Sequence, residues 1–460
     1  MTLGRRFRPL LPLVLIAATA PATAEGPLNV GGPPFSAPDF PNGIPNSVPG
    51  VPFRWNASGF PLTYWTDQGT LGALTNTQAN DLVEQAFKVW NDVETASITF
   101  SRAGGLTQNV TVLNYLSVED AIYDCSTLPG PPAGGTAQPR TIVYDSNGSI
   151  IDDLFGPGQS DSVLGFASGV CLTSDGVENS YNRGISVLNG KDVNSPADTV
   201  DLKAVMIHEF GHMIGLDHSQ LNVECLGFFG CSGAALEGLP TMFPFLVDGS
   251  AMSTPSPDDI AGLSELYPET VNDPANGKVV YGTTTGVITG HILFSDGATP
   301  AEGFNVVARA VDDPATPSVD ESKSRAVSNV SGYLFTGDAG NPISQFAGFT
   351  PSPFGSRDTS LLGFYYIPGL PPGNYTVEIE AVDESLTGSS GVGPIGAIGI
   401  QFPMPGTCPD GDFLDASESD QEDCTDSTPV TVTAGATLST GTDIVINGTG
   451  PRYDAWEDGP

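Results

Sequence analysis

Apolar residues recur along the chain at two periods, and the change from one to the other divides it. Between residues 53 and 268 helical spacing alternates with short apolar runs, whereas from 284 to 448 only short runs between turn residues remain. Leu82, Val83, Ala86, Val89 and Trp90 share one face of a helix starting near Thr77, behind a Thr75-to-Gln78 capping box. Leu202, Met206, Phe210 and Met213 mark a second helix, with Ser195, Pro196 and Asp198 suited to its N-cap, first and third positions. A third opens at Ser256-Pro257-Asp258-Asp259, with Ser256 as cap and Asp259 reciprocating, and runs to Leu266-Tyr267. Arg54-Trp55, Leu62 to Trp65, Ser97 to Ser101, Val110 to Leu116, Thr141 to Tyr144 and Leu164 to Ala167 read as strands. The expected first unit, 53–268, is therefore α+β, a twisted mixed sheet packed on helices.

In 284–448 strands are expected at Gly286 to Gly290, Phe304 to Ala310, Ser331 to Phe335, Phe364 to Gly369 and Tyr375 to Ala381, with a last pair between Val430 and Ile446. That spacing predicts an all-β sandwich. Residues 269–283 read as a polar linker, 25–52 as a Pro/Gly-rich leader and 449–460 as a tail. Arg5, Arg6 and Arg8, the apolar run Leu10 to Ala20 and the Ala22-Thr23-Ala24 cleavage site make 1–24 a signal peptide, with a mature start near Glu25. Nothing later is long and apolar enough to span a bilayer, so the expected destination is the extracellular space, periplasm or cell envelope.

Export changes the reading of the six cysteines. Their order favours Cys125–Cys171, Cys225–Cys231 and Cys408–Cys424, out of about fifteen formal connectivities. A net charge of −37 disfavours nucleic acid and anionic membranes as partners and offers carboxylates to calcium. Asp145, Asn147, Asp152 and Asp153 around Gly148 have the look of a structural calcium loop; the competing reading is an Asn-Gly turn with solvated carboxylates. The acidic stretch 408–426 is expected to be a stapled, solvated insertion, with calcium binding as the competing reading. Oligomeric state leaves no mark in the sequence, and a monomer is the default.

Only four histidines occur in the chain, and three of them lie in one run, His208-Glu209-Phe210-Gly211-His212-Met213-Ile214-Gly215-Leu216-Asp217-His218. At about 100° per residue, His208 and His212 stand one above the other on the helix side opposite its apolar stripe, where both can ligate one ion. Gly215 can take the left-handed conformation that ends a helix and lets the chain return with His218 as third ligand. Glu209, one step round, reaches a water held near the ion rather than the ion itself, the place of a general base. The remaining histidine, His291, has no His or Cys near it in sequence and is assigned no function.

This run resembles the pattern HExxHxxGxxH of the metzincin zinc peptidases at every fixed position, and Leu216-Asp217-His218-Ser219 resembles the matrixins among them. The resemblance implies a zincin-like protease domain over 53–268 and one catalytic Zn²⁺ on His208, His212 and His218, with Glu209 as base. It also implies a turn beneath the metal carrying Met242. By the same resemblance Pro244, Phe245 and Leu246 form the wall of a substrate pocket, where the family usually has tyrosine in place of Leu246. Leu164, Gly165, Phe166 and Ala167 then lie in the edge strand against which a polypeptide substrate pairs. Matrixins place a histidine there for a second zinc; this chain has none, and no cysteine before Cys125 to block the metal. The second unit resembles carboxypeptidase-regulatory-like sandwiches. A non-catalytic secreted binding or adhesion protein is the alternative, and retention of Glu209 counts against it, because a relic has no reason to keep a residue that is not a ligand.

Overall fold

A computed structural model describes residues 27–28, 48, 51–195, 197, 199–219, 221–222, 225, 233–301, 304–315, 321–331, 363–381, 411–420, 423 and 425–448. The signal segment, most of the leader and the tail lie outside them. The architecture is mixed α+β with several sheets.

The first unit contains β1 (Phe53–Trp55), β2 (Leu62–Thr66), α1 (Asn76–Asn91), β3 (Phe100–Gly105), α2 (Tyr115–Tyr123), β4 (Arg140–Asp145), α3 (Ser149–Phe155), β5 (Gly165–Val170), β6 (Thr173–Ser174), β7 (Asn179–Tyr181), β8 (Arg183–Asn189), α4 (Val200–Ile214) and α5 (Pro257–Leu266). Its main sheet has the order β3-β2-β4-β8-β5. The first four strands are parallel to their neighbours, and β5 runs antiparallel to β8 at the edge. Strand β8, absent from the sequence expectations, is buried at every residue because it has strands on both sides and covered faces, so it shows no alternation.

Helix α1 begins with the expected capping box, both of whose hydrogen bonds form. It packs on α4 through Phe87 and Phe210, whose rings stack 3.9 Å apart at an interplanar angle of 4°. The Trp90 indole N–H donates to the Ile207 carbonyl at 2.9 Å, locking the two helices together beside the histidines.

Two expectations need correction. Helix α4 begins at Val200 behind Thr199, not behind Ser195; the Ser195 hydroxyl accepts the Ala197 N–H at 3.0 Å in a local turn, and Pro196 and Asp198 lie outside the described residues. Val110 to Leu116 is no strand, because the Asp67 carboxylate takes the Val110 N–H and α2 starts at Tyr115, burying Tyr115, Val118, Ala121 and Ile122. The 269–283 segment, expected as a linker, packs against the first unit. Lys278 donates to the carbonyls of Asn91, Val93 and Ala96 at the C-terminal end of α1, where a cation complements the helix dipole.

The second unit contains β9 (Gly286–Leu293), β10 (Phe304–Ala310), β11 (Ala326–Val330), β12 (Phe364–Leu370), β13 (Gly373–Ala381), β14 (Asp412–Phe413), β15 (Val430–Val432), β16 (Thr437–Leu438) and β17 (Ile444–Val445). One sheet has the order β11-β10-β13-β14, with β15 also on β13; the other is β12-β9-β16, with β17 also on β9. Ile288, Ile292, Val306, Ala308, Ile367, Val377 and Ile379 form a core common to both. Of the strand expected at Ser331 to Phe335 only Ser331, buried just after the end of β11, is described, and 332–335 lie outside the described residues.

Cys125 and Cys171 form a disulfide that ties the end of α2 to the residue following edge strand β5. Cys225 is also disulfide-bonded, while Cys231, Cys408 and Cys424 lie outside the described residues. No described helix is long and apolar enough to cross a membrane. Closing a loop with a sequence separation of 46 should make the Cys125→Ala/Cys171→Ala double variant less stable by about 2–4 kcal/mol in urea unfolding; an unchanged midpoint would show that the bridge does not constrain the edge strand.

Candidate metal centre

Helix α4 has to be tightly backed before it can present anything precisely. Its last carbonyls, which have no partners within the helix, are taken up by the start and end of the first unit. The Trp55 indole N–H donates to Met213 O at 2.8 Å, and the Tyr267 hydroxyl donates to Ile214 O at 2.6 Å while accepting the Trp55 N–H at 3.0 Å. Gly215 then adopts φ +114°, and its N–H closes on the carbonyls of Gly211 and His212. The helix stops there and the chain doubles back.

That return brings three imidazoles together. The Nε2 atoms of His212 and His208 are 3.1 Å apart, those of His212 and His218 3.0 Å, and those of His218 and His208 3.3 Å. His208 Nδ1 donates to Thr241 O at 2.8 Å and His212 Nδ1 to Leu216 O at 2.9 Å. A carbonyl only accepts, so in the neutral rings the Nδ1 atoms carry the protons and both Nε2 lone pairs face the common point. Burial lowers the proton affinity of His208, and that of His212 well below the ordinary range, where like charge on the other two rings adds to burial. Lone pairs so close repel unless a cation sits among them. Ligands about 2.0–2.1 Å from a tetrahedral ion stand about 3.3–3.4 Å apart, close to the spacing here. Among the described residues this is the one group of three or more His, Cys, Asp or Glu whose ligand atoms converge, and it could hold a metal ion.

Met242 is fully buried, and a Cβ at Gly211, the residue before His212, would stand 2.2 Å from its sulfur, so this approach needs a glycine. The turn carrying Met242 is held by a residue whose sequence reading was only that of a cap. Asp259 does complete the Ser256 capping box, but its oxygens also accept the N–H groups of Thr241 at 2.8 Å and Met242 at 2.9 Å. Asp259 thus fixes the peptide whose carbonyl orients His208. The acidic doublet Asp258-Asp259 opening a helix was the available signal.

Glu209 is 6% exposed, and its Oε2 has no hydrogen-bond partner among the described residues. Burial pushes its carboxyl up to about 8. A Cβ at Gly165 would stand 2.9 Å from its Cγ and 3.0 Å from its Oε1, so the edge strand approaches Glu209 only where it lacks a side chain. Asp217 is buried too, with one oxygen accepting the His218 N–H at 2.9 Å and the other without a partner among the described residues.

These groups open into a cleft of about 650 Å³. Its lining includes the three histidines, Glu209, all of Leu164, Gly165, Phe166 and Ala167, and Pro244, Phe245 and Leu246. Tyr123, Phe155 and Leu28 also line it, and none of the three carried a sequence signal. Leu28 belongs to the leader: Pro27 pairs with Leu216, and the Leu28 N–H donates to Gly215 O at 2.6 Å, seating the side chain in the cleft.

Among the described residues, the carboxylates read as part of a calcium loop, Asp145, Asp152 and Asp153, do not form a converging group. Asp145 is buried and accepts the Ile150 and Ile151 N–H groups, both at 2.9 Å, at the start of α3. Asn147 accepts the Ser149 N–H, Asp152 accepts those of Gly158 and Ser160, and Asp153 is exposed. Helix ends and turns need acceptors for their free N–H groups, and here Asp145 Oδ2, Asn147 Oδ1 and Asp152 Oδ1 serve that need. His291 packs against Phe364 and lies 3.5 Å from Asp443, away from the cleft. No family model matches the chain, and no curated protein matches it.

A ligand bound only by the folded chain stabilises it by about 2.7 kcal/mol at a hundredfold excess over its Kd. Zinc chloride should therefore raise the unfolding temperature of the chelator-treated protein and leave that of His212→Ala unchanged. Equal shifts in both would place binding elsewhere.

Proposed function

We propose that the chain is a secreted zinc endopeptidase, a metzincin of matrixin type over residues 53–268, followed by a regulatory-like β-sandwich over 284–448. The observation that carries this reading is the juxtaposition of three converging imidazoles, an unpartnered buried carboxylate and the edge of a sheet along one cleft. The nitrogen donor set suits zinc, and His208, His212 and His218 would hold it. A bound zinc ion polarises a carbonyl and acidifies water.

The rest of the chemistry falls to the chain. An extended peptide pairs with the outer edge of β5, whose other edge is occupied by β8, and this main-chain pairing accepts many sequences. Leu246 and Phe245 border the space for the side chain beyond the scissile bond. Glu209 takes a proton at Oε2 from the attacking water and delivers it to the departing amine. Burial raises the proton affinity of Glu209, and the positive charge of a bound cation would favour the ionised form that accepts the proton. Thr241 and Leu216 fix the rings of His208 and His212, so those donors need not reorganise during turnover. Secretion rests on the signal segment and on disulfides, which persist in oxidising compartments.

Cleavage of unfolded casein by the zinc-loaded chain, beside Glu209→Gln with bound zinc quantified in both, tests this. Because Leu28 sits in the cleft, a Leu28→Glu variant is assayed in parallel. We expect about one zinc per chain in each protein and roughly a 10²–10⁴-fold lower kcat/KM in Glu209→Gln. If neither zinc-loaded wild type nor Leu28→Glu cuts casein, or if Glu209→Gln cuts as well as wild type, the peptidase reading fails.

A further inference from the structure

His208 and His212 ride on a helix, but His218 lies on a segment without regular structure, and something else must hold it. The next residues show what does. The Ser219 N–H donates to Met242 O at 3.0 Å, and its hydroxyl donates to Asp258 Oδ2 at 2.5 Å. The other oxygen of Asp258 accepts the backbone N–H of Ser328, in β11 of the second unit, at 2.8 Å. Leu221 is buried against Val307 and Ala326, both also in the second unit. Asn222 takes the left-handed conformation with φ +59°, and its side-chain oxygen accepts from Arg309 Nη1 at 3.0 Å. Arg309 in turn is clamped by Glu378 and Glu380 on the neighbouring strand β13. Ser219, Asn222 and Asp258 are each no more than 1% exposed.

We propose that the second unit is a structural part of the metal centre, with Asp258, Ser328 and Arg309 as positioning residues for His218. The proposal rests on the reading of the three imidazoles as a metal site. A metal ligand displaced by about 0.5 Å leaves the productive geometry, and removing an outer support of a ligand costs about 10–100-fold in metal affinity. His218 has such supports in two directions, one through Ser219 to Asp258 and β11, the other through Asn222 to the Arg309 fork. An Arg guanidinium fixed by two carboxylates presents its remaining N–H rigidly, which lysine cannot do. The unit that follows the cleft therefore does more than accompany it: it sets where the third imidazole stands.

The test is zinc affinity of the full chain, by competition with a chromophoric chelator, together with the visible spectrum of the cobalt-loaded protein, which reports ligand geometry. Asp258→Asn and Arg309→Met are compared with wild type and with Tyr365→Phe. The last loses the Tyr365 hydroxyl bond to Thr442 O and loosens the second unit away from the loop. We expect the zinc Kd to rise about 10–100-fold in the first two, with an altered cobalt spectrum, and to change less than about threefold in Tyr365→Phe. If Arg309→Met does not fold, Arg309→Lys carries the same expectation. Wild-type affinity and spectrum in Asp258→Asn and the Arg309 variant overturn the proposal, as does equal weakening in Tyr365→Phe. Failure of wild type itself to bind zinc would instead sink the metal reading, and this inference with it, before any variant is compared.

Discussion

A helix can stack two imidazoles one turn apart, but while it continues it cannot bring a third to the same point. The three Nε2 atoms meet at 3.0–3.3 Å only because α4 ends at Gly215 and the chain reverses within three residues to His218. Much of the first unit serves that reversal. Trp55 and Tyr267, from its two ends, occupy the carbonyls of Met213 and Ile214, and Leu216 O both follows the turn and orients His212. A side chain at position 215 would have to adopt φ +114° and accommodate the Tyr181 ring at 3.0 Å.

Convergence of three imidazole nitrogens and two buried carboxyls has a cost, and the surroundings show how it is met. His208 and His212 are kept neutral by burial, and Glu209 and Asp217 are pushed toward their protonated forms by the same burial. The site is thus arranged for groups that change charge or accept a cation, in a region that would otherwise repay apolar packing. The acidity of the chain as a whole, with 53 acidic against 16 basic residues, is distributed differently, since Asp145, Asp152 and Asp259 spend their oxygens on backbone N–H groups.

What could be seen in the sequence was whatever depends on short-range spacing. The i, i+4 histidines, the glycine that stops the helix and the capping boxes at Thr75 and Ser256 are local, and each is present where the sequence put it. Long-range tasks were not visible. Asp259 reads as a cap whether or not it also holds Met242, and Asp145 reads as an exposed loop acid although α3 buries it. Strand β8 carries no alternation because both faces are covered, and Val110 to Leu116 looks extended until Asp67 draws Val110 inward. Arg309 and Ser328 lie 87 and 70 residues from Asn222 and Asp258, and no local pattern links them.

The central claim is that three imidazoles from this one run bind a single metal ion and leave a position open. X-ray absorption spectroscopy of the zinc-loaded chain examines that coordination directly. The account predicts three histidine nitrogens and at least one oxygen at about 2.0–2.1 Å, with no sulfur, and loss of one nitrogen in His218→Ala. A shell with sulfur, with four protein ligands, or unchanged in His218→Ala would contradict it.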